Sequence, residues 1–236
     1  MTIPHREFLG KTPQNTLPVA ALLILAAGML DAYTYVGYGG VFANAMTGNI
    51  VLLMIRLAQG DFATAVRFVA PIVAYVCGVA VAHAVKEKPL HGLIRYPARV
   101  LLAVEIAFLV VVALTAGHMA PLAVITGIAF VAAMQATAFT RVGPFVFTSV
   151  TTSANLRHLA ESFMAAVVFR DGPTARKELF FFAVVVGCFF AGAAAGAVLT
   201  LHLGKPAVWL PVVLLSAALI LCMPWNRPMH EILKAD

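Results

Sequence analysis

The sequence predicts an all-α membrane protein with six transmembrane helices plus two re-entrant half-helix segments, arranged as two inverted repeats. Three observations carry that prediction: the composition, the placement of the charges, and an order of elements that occurs twice. Of 236 residues, 62% are hydrophobic and 11% charged, against about 25% charged in soluble domains. A soluble chain of this length buries roughly 70% of its unfolded surface and must cover the remainder with polar groups. Its 16 Lys plus Arg and 10 Asp plus Glu are too few for that, so lipid is the solvent for much of the outside. The whole chain, 1–236, reads as a single integral membrane domain, since spans of about 20 residues use up its length. The net charge of +6 does not indicate nucleic acid. The basic residues fall in short connections, such as Lys86, Lys88, Arg95 and Arg99, or Arg170, Arg176 and Lys177, as the positive-inside rule requires.

A polar head, residues 1–16, precedes the first apolar run, Leu17 to Val36, which contains Asp31. A cleaved signal peptide is the rival reading, but this run is too long for an h-region and a similar one recurs later. A glycine-rich break (Gly37, Gly39, Gly40) leads into Val41 to Ala58, which is interrupted by Asn44, Thr47, Gly48 and Asn49. Phe68 to Val85 is the next run, with Pro71 expected in its first turn, where proline is tolerated. Val100 to Thr115, carrying Glu105, and Pro121 to Phe139, carrying Gln135, form a tight helical hairpin. After Gly143 and Pro144 a second interrupted segment crowds together Thr148, Ser149, Thr151, Thr152, Ser153 and Asn155 before Leu156 to Phe169. Leu179 to Leu201 carries Gly192 and Gly196 at the spacing of close helix contacts, and Ala207 to Met223 is the last run.

The pieces define repeat 1, about 17–116, and repeat 2, about 119–223. The first two elements superpose without gaps at an offset of 104, so that Asp31 meets Gln135, Asn44 meets Thr148, Thr47 meets Thr151 and Asn49 meets Ser153. The shared hydropathy order carries the repeat, because only four of 26 positions from Gly28 to Leu53 are identical to their partners. If both interrupted segments cross, the chain has eight spans and the basic loop Lys86 to Arg99 is exported. If both re-enter, it has six, and nearly all basic residues share the cytoplasm with both termini. Three spans per repeat invert the second copy, so the two breaks enter from opposite faces and their tips meet near the midplane. Non-helical backbone at that depth must line a polar cavity or be buried in protein. Thr47 to Asn49 and Thr151 to Ser153 are then expected helix starts capped by their own side chains.

The runs Leu30-Asp31-Ala32-Tyr33-Thr34-Tyr35 and Gly39-Gly40-Val41-Phe42-Ala43-Asn44-Ala45-Met46-Thr47-Gly48-Asn49 resemble the signature of the YoaK-like family of bacterial multi-pass inner-membrane proteins, a domain-of-unknown-function family. The resemblance covers nearly the whole chain and is most specific at Asn-x-Met-Thr-Gly-Asn. It implies a six-span inner-membrane protein and supplies no substrate. Where a Thr-Gly pair is expected in the second copy, the chain reads Thr151-Thr152.

The candidate solute-binding residues are Asp31, Asn44, Thr47, Gly48, Asn49, Gln135, Thr148, Thr151, Thr152 and Ser153. An ionisable group inside a span is costly and functional by default; for Asp31 the structural alternative is a hydrogen bond to the neighbouring break. The hydroxyl and amide residues either contact solute or cap and glue half-helices. Positive half-helix ends suit an anion or a polar neutral solute. Glu105 is expected to form a structural ion pair with Arg99 or Arg67, and Arg157 with Glu161 a surface pair.

No catalytic residue, metal or cofactor is expected. The seven histidines and three cysteines are scattered and lack ligand spacing. Asp171-Gly172-Pro173-Thr174-Ala175-Arg176 opens like a phosphatidyl-group transferase motif, but no acidic residue follows in the next span, and two metal ions need several carboxylates on one face. It reads as a loop and helix start. The expectation is therefore a non-enzymatic small-solute transporter or channel-like permease, with a non-transporting scaffold, sensor or assembly factor as the alternative. Its partners are the bilayer and a small polar or anionic solute, with no nucleic acid. The small-residue faces permit a homodimer without demanding one.

Overall fold

The computed structural model describes residues 14–86, 94, 96–115 and 118–223. Among them are eight helices: α1 (Leu17–Gly37), α2 (Met46–Ala58), α3 (Phe62–Lys86), α4 (Pro97–Leu114), α5 (Pro121–Ala138), α6 (Ser153–Phe163), α7 (Pro173–Leu203) and α8 (Trp209–Leu221). A two-stranded hairpin, β1 (Arg141–Val142) and β2 (Phe145–Val146), precedes α6. A π turn, Met164–Val168, extends α6, and a 3-10 turn, Lys205–Val208, leads into α8. Helices α1, α3, α4, α5 and α7 are long and apolar enough to cross a membrane, and Met46–Ala58 and Lys205–Leu221 are shorter apolar helices.

Proline stands in the first turn of α1, α4, α5 and α7, where its missing N–H has no intrahelical acceptor to forgo. Helix α3 starts earlier than the apolar run suggests. Asp61 accepts the Thr64 amide on its side chain at 3.1 Å and the Ala65 amide on its carbonyl at 3.0 Å, so the helix nucleates at Phe62. Pro71 therefore lies in the helix interior rather than its first turn, and removes the N–H that would otherwise bond the Arg67 carbonyl.

Close backbone approaches set the packing. Helix α7 lies along α1, with Gly192 against the Leu25 backbone and Gly196 against that of Met29. Residue numbers rise together on both helices, so they run parallel. Helix α3 lies along α5 in the same sense: Gly78 meets the Phe130 carbonyl, Ala82 clusters with Met134, and Lys86 Nζ donates to the Thr137 carbonyl at 2.7 Å. Lipid tails give apolar side chains no reason to leave lipid for protein, so association depends on such close-fitting small residues.

These contacts sort the helix ends. At one end lie the end of α3 and the end of α5, joined by Lys86 and Thr137. The start of α7 is there too, because Ala20 and Ile24 of α1 share a cluster with Val142, Phe145 and Phe147 and with Phe181 and Phe182 of α7. At the opposite end Tyr33 donates to the Lys205 carbonyl at 3.0 Å, and Gly39 faces Arg67 near the start of α3. The stretch 38–61 thus departs from and returns to one end of the bundle, and the stretch 139–172 does so at the other. Lys86 shares its end with Arg176 and Lys177.

Glycine substitutions separate packing from propensity. A Cβ at Gly192 falls on the Leu25 carbonyl, whereas nothing lies within 4 Å of one at Gly187 on the same helix. Gly192→Ala is expected to destabilise by about 1–3 kcal/mol and Gly187→Ala to stabilise by roughly 0.5–1 kcal/mol. Thermal unfolding in detergent should therefore move in opposite directions for the two variants.

Candidate functional site

The breaks before α2 and α6 are closed by the same device. Asn49, in the first turns of α2, accepts the Phe42 amide on Oδ1 at 2.9 Å and donates from Nδ2 to the Phe42 carbonyl at 2.8 Å. Asn155, in the first turn of α6, accepts the Thr148 amide at 3.1 Å and donates to the Thr148 carbonyl at 2.8 Å, with a further bond to the Thr151 carbonyl at 3.0 Å. Both asparagines are fully buried. Each supplies a donor and an acceptor to a backbone residue that neither helix nor strand can pair. Helix α6 starts at Ser153, within the expected Thr151 to Ser153, whereas α2 starts at Met46, just before the expected Thr47 to Asn49, and the expected side-chain caps are observed at neither. The N-caps are Ala45 and Thr152, without side-chain cap bonds, and the asparagines reach backward from inside the helices.

The matching bonds set a register between the two breaks. Asn49 corresponds to Asn155 and Phe42 to Thr148, an offset of 106, whereas Asp31 and Gln135 remain 104 apart. The β1–β2 hairpin accounts for the slip of two, with Gly143 at φ 55° in its turn. Thr47-Gly48-Asn49 then matches Ser153-Ala154-Asn155, so the second break carries its hydroxyl-small-Asn triplet two residues later than expected. Asn155 is the residue a gapless superposition misses, and this triplet is the signal that finds it.

Asp31 anchors the first break from α1. Its Oδ1 accepts the Asn44 amide at 2.7 Å, with the amides of Ala43 and Ala45 also turned toward the carboxylate. Asn44 Nδ2 donates to the carbonyl of Ala27, in the middle of α1, at 3.1 Å, while its Oδ1 is buried without a partner. In the second break Gln135 Nε2 donates to the Ser149 carbonyl at 3.3 Å, and Ser149 Oγ returns a bond of 3.4 Å to the Gln135 carbonyl. Val150 packs with Ala27 of α1 and Ala132 of α5. Both breaks therefore reach the level of Ala27.

The ten candidate residues divide into two sets. Asp31, Asn44, Asn49 and Gln135 are buried and engaged with the protein's own backbone. Thr47 and Ser153 are exposed, and Gly48, Thr148, Thr151 and Thr152 are half-buried. Thr148 Oγ1 donates to the Thr151 carbonyl at 2.6 Å and accepts from Thr151 Oγ1 at 3.1 Å, whereas Thr152 Oγ1 has no partner. A Cβ on Gly48 would press on the Phe42 ring at 3.2 Å.

Elsewhere, Arg157 and Glu161 pair at 2.8 Å as expected. Glu105 does not pair: it is 1% exposed, its Oε2 has no partner, and no ion pair reaches it among the described residues. Arg67 lies at the far end of the bundle beside Gly39, and Arg99 stacks instead over the Tyr96 ring at 4.0 Å. No cluster of three metal-ligating side chains occurs among the described residues.

The lock has a measurable weight. Asn155→Leu orphans the amide and carbonyl of Thr148, at about 1–3 kcal/mol for each buried group. Asn155→Asp keeps the acceptor and loses the donor. Thermal unfolding should rank wild type above Asn155→Asp above Asn155→Leu, with the same order for Asn49.

No solved structure matches. The UPF0700 transmembrane protein YoaK of Bacillus subtilis (strain 168) is 38% identical over 69 residues, a stretch covering 29% of this chain and 30% of that protein. A family model described as "Protein of unknown function (DUF1275)" matches residues 19–221. The chain is a multi-pass membrane protein and belongs to the DUF1275, or YoaK-like, family.

Proposed function

We propose that this protein is a small-solute transporter or channel-like permease of the bacterial inner membrane, with six transmembrane helices and two re-entrant half-helices, α2 and α6, from inverted repeats. The observation that carries the reading is the meeting of two independently locked backbone breaks at one level of the bundle. Leu17 to Ala27 is ten residues, about 15 Å at 1.5 Å per residue, which is half of a hydrocarbon core about 30 Å thick. Broken helices meeting at mid-depth are how many transporters build solute sites.

The directions of the helices favour six crossings over eight. With stretches 38–61 and 139–172 each leaving and returning at one end, Lys86, Arg176 and Lys177 share a face, as the positive-inside rule asks of a cytoplasmic side. Both termini then lie in the cytoplasm. The exposed ion pair of Arg157 and Glu161 on α6 suits a re-entrant segment facing water better than a lipid-facing span.

The solute is small and polar or anionic. The stretch just before α2 already has an acidic side chain, Asp31, against the Asn44 amide, whereas the corresponding place before α6 has the uncharged Gln135. The positive end of α6 is thus left without a fixed counter-charge from that position, which favours a transient anion. Thr47 and Ser153, equivalent and exposed, would line the path, with Gly48, Thr151 and Thr152 beside them.

Proteoliposomes loaded with small polyols or small carboxylates and followed by stopped-flow light scattering test this. Flux above protein-free vesicles is expected for at least one solute, and Thr47→Val or Ser153→Ala should change it about ten-fold without changing the unfolding midpoint. Flux identical in both variants would reject the site, and none for any solute would favour a sealed membrane scaffold.

A further inference from the structure

We propose that the cleft between the start of α4 and the end of α8 binds an anionic phospholipid, with its phosphate on the guanidinium of Arg99. The cleft has a volume of about 510 Å³ and is lined by Tyr96, Arg99, Val100, Ala103, Leu219 and Met223 among others. It opens sideways on the bundle surface, where Tyr96, Val100 and Met223 are about two-fifths exposed. This site is separate from the two breaks, and the proposal rests only on the chain being a membrane protein.

Arg99 is the charged group of this wall. Its Nε is buried without a hydrogen-bond partner, and no ion pair reaches the guanidinium among the described residues. Arg56 and Arg157, by contrast, have carboxylates at 3.8 and 2.8 Å. The Tyr96 ring, 4.0 Å below the guanidinium carbon, holds the plane flat and leaves its edge donors free. A planar fork with unused donors matches the paired oxygens of a phosphate diester.

The remaining wall is apolar, and its direction is that of a lipid. Arg99 lies in the first turn of α4, at the end of the span where headgroups sit, and Tyr96 is an interfacial aromatic. Ala103 is one turn deeper, about 6 Å at 1.5 Å per residue, and faces Leu219 of α8. A headgroup at Arg99 therefore leads an acyl chain along Val100, Ala103 and Leu219 into the hydrocarbon. Basic pockets between transmembrane helices recognise anionic headgroups by this combination of charge and depth. A free anion would leave the apolar wall unused, which is why the occupant is a lipid.

Full-length protein in neutral detergent is titrated with phosphatidylglycerol, phosphatidylcholine or inorganic phosphate, following the unfolding midpoint and counting bound lipids by native mass spectrometry. Phosphatidylglycerol is expected to raise the midpoint saturably, by several degrees, and to remain as a bound adduct. Arg99→Gln and Ala103→Trp, which fills the cleft without touching the charge, should each weaken that response at least ten-fold. Arg99→Lys, which keeps charge and loses the fork, should fall between. An equal response to phosphatidylcholine, an equal response to inorganic phosphate, or wild-type behaviour in Ala103→Trp would overturn the proposal. So would a doubled mass whose formation abolishes the phosphatidylglycerol response, since a second copy would then own the cleft.

Discussion

Two asparagine side chains make the interior of this bundle tenable. Backbone that is neither helix nor strand has N–H and C=O groups that lipid cannot satisfy, and Asn49 and Asn155 each return one donor and one acceptor to a single residue seven positions upstream. With that exchange in place, the backbone leading into each new helix is paired although it is neither helix nor strand. Without it, Phe42 and Thr148 would have buried polar backbone and no helix or sheet to pair it.

Charge separates the two breaks that the asparagines make alike. Asp31 gives the first an acidic side chain that accepts the amide of Asn44 and is flanked by those of Ala43 and Ala45. Gln135 gives the second a neutral amide engaged with Ser149. An ionisable side chain thus stands at one break and a neutral amide at the other. The asymmetry means that near-identical scaffolding supports different electrostatics.

Much of this was legible in the residues. Span-length apolar runs, prolines at the run starts and polar clusters in two similar places mark the helices and the breaks, because lipid leaves few other arrangements. The basic connections foretell that Lys86 and Lys177 share an end. What stayed hidden depends on contacts distant in sequence or on small insertions. The β1–β2 hairpin adds two residues, so a gapless comparison aligns Asn49 with Ser153 and passes over Asn155. Pro71 looks like a first-turn residue until Asp61 is seen to start α3 earlier. Glu105 invites an ion pair, yet Arg67 lies at the opposite end and Arg99 turns to Tyr96, a choice no local pattern announces.

The central claim is that the two breaks enter from opposite faces of one membrane. In a variant free of Cys77, Cys188 and Cys222, single cysteines at Gly39, Asp61, Arg141 and Lys177 can be labelled with a membrane-impermeant maleimide from either side of oriented vesicles. Gly39 and Asp61 should label together from the periplasmic side, and Arg141 and Lys177 together from the cytoplasmic side. Labelling of Gly39 and Asp61 from different sides would mean that the stretch between them crosses the bilayer, and would contradict the account.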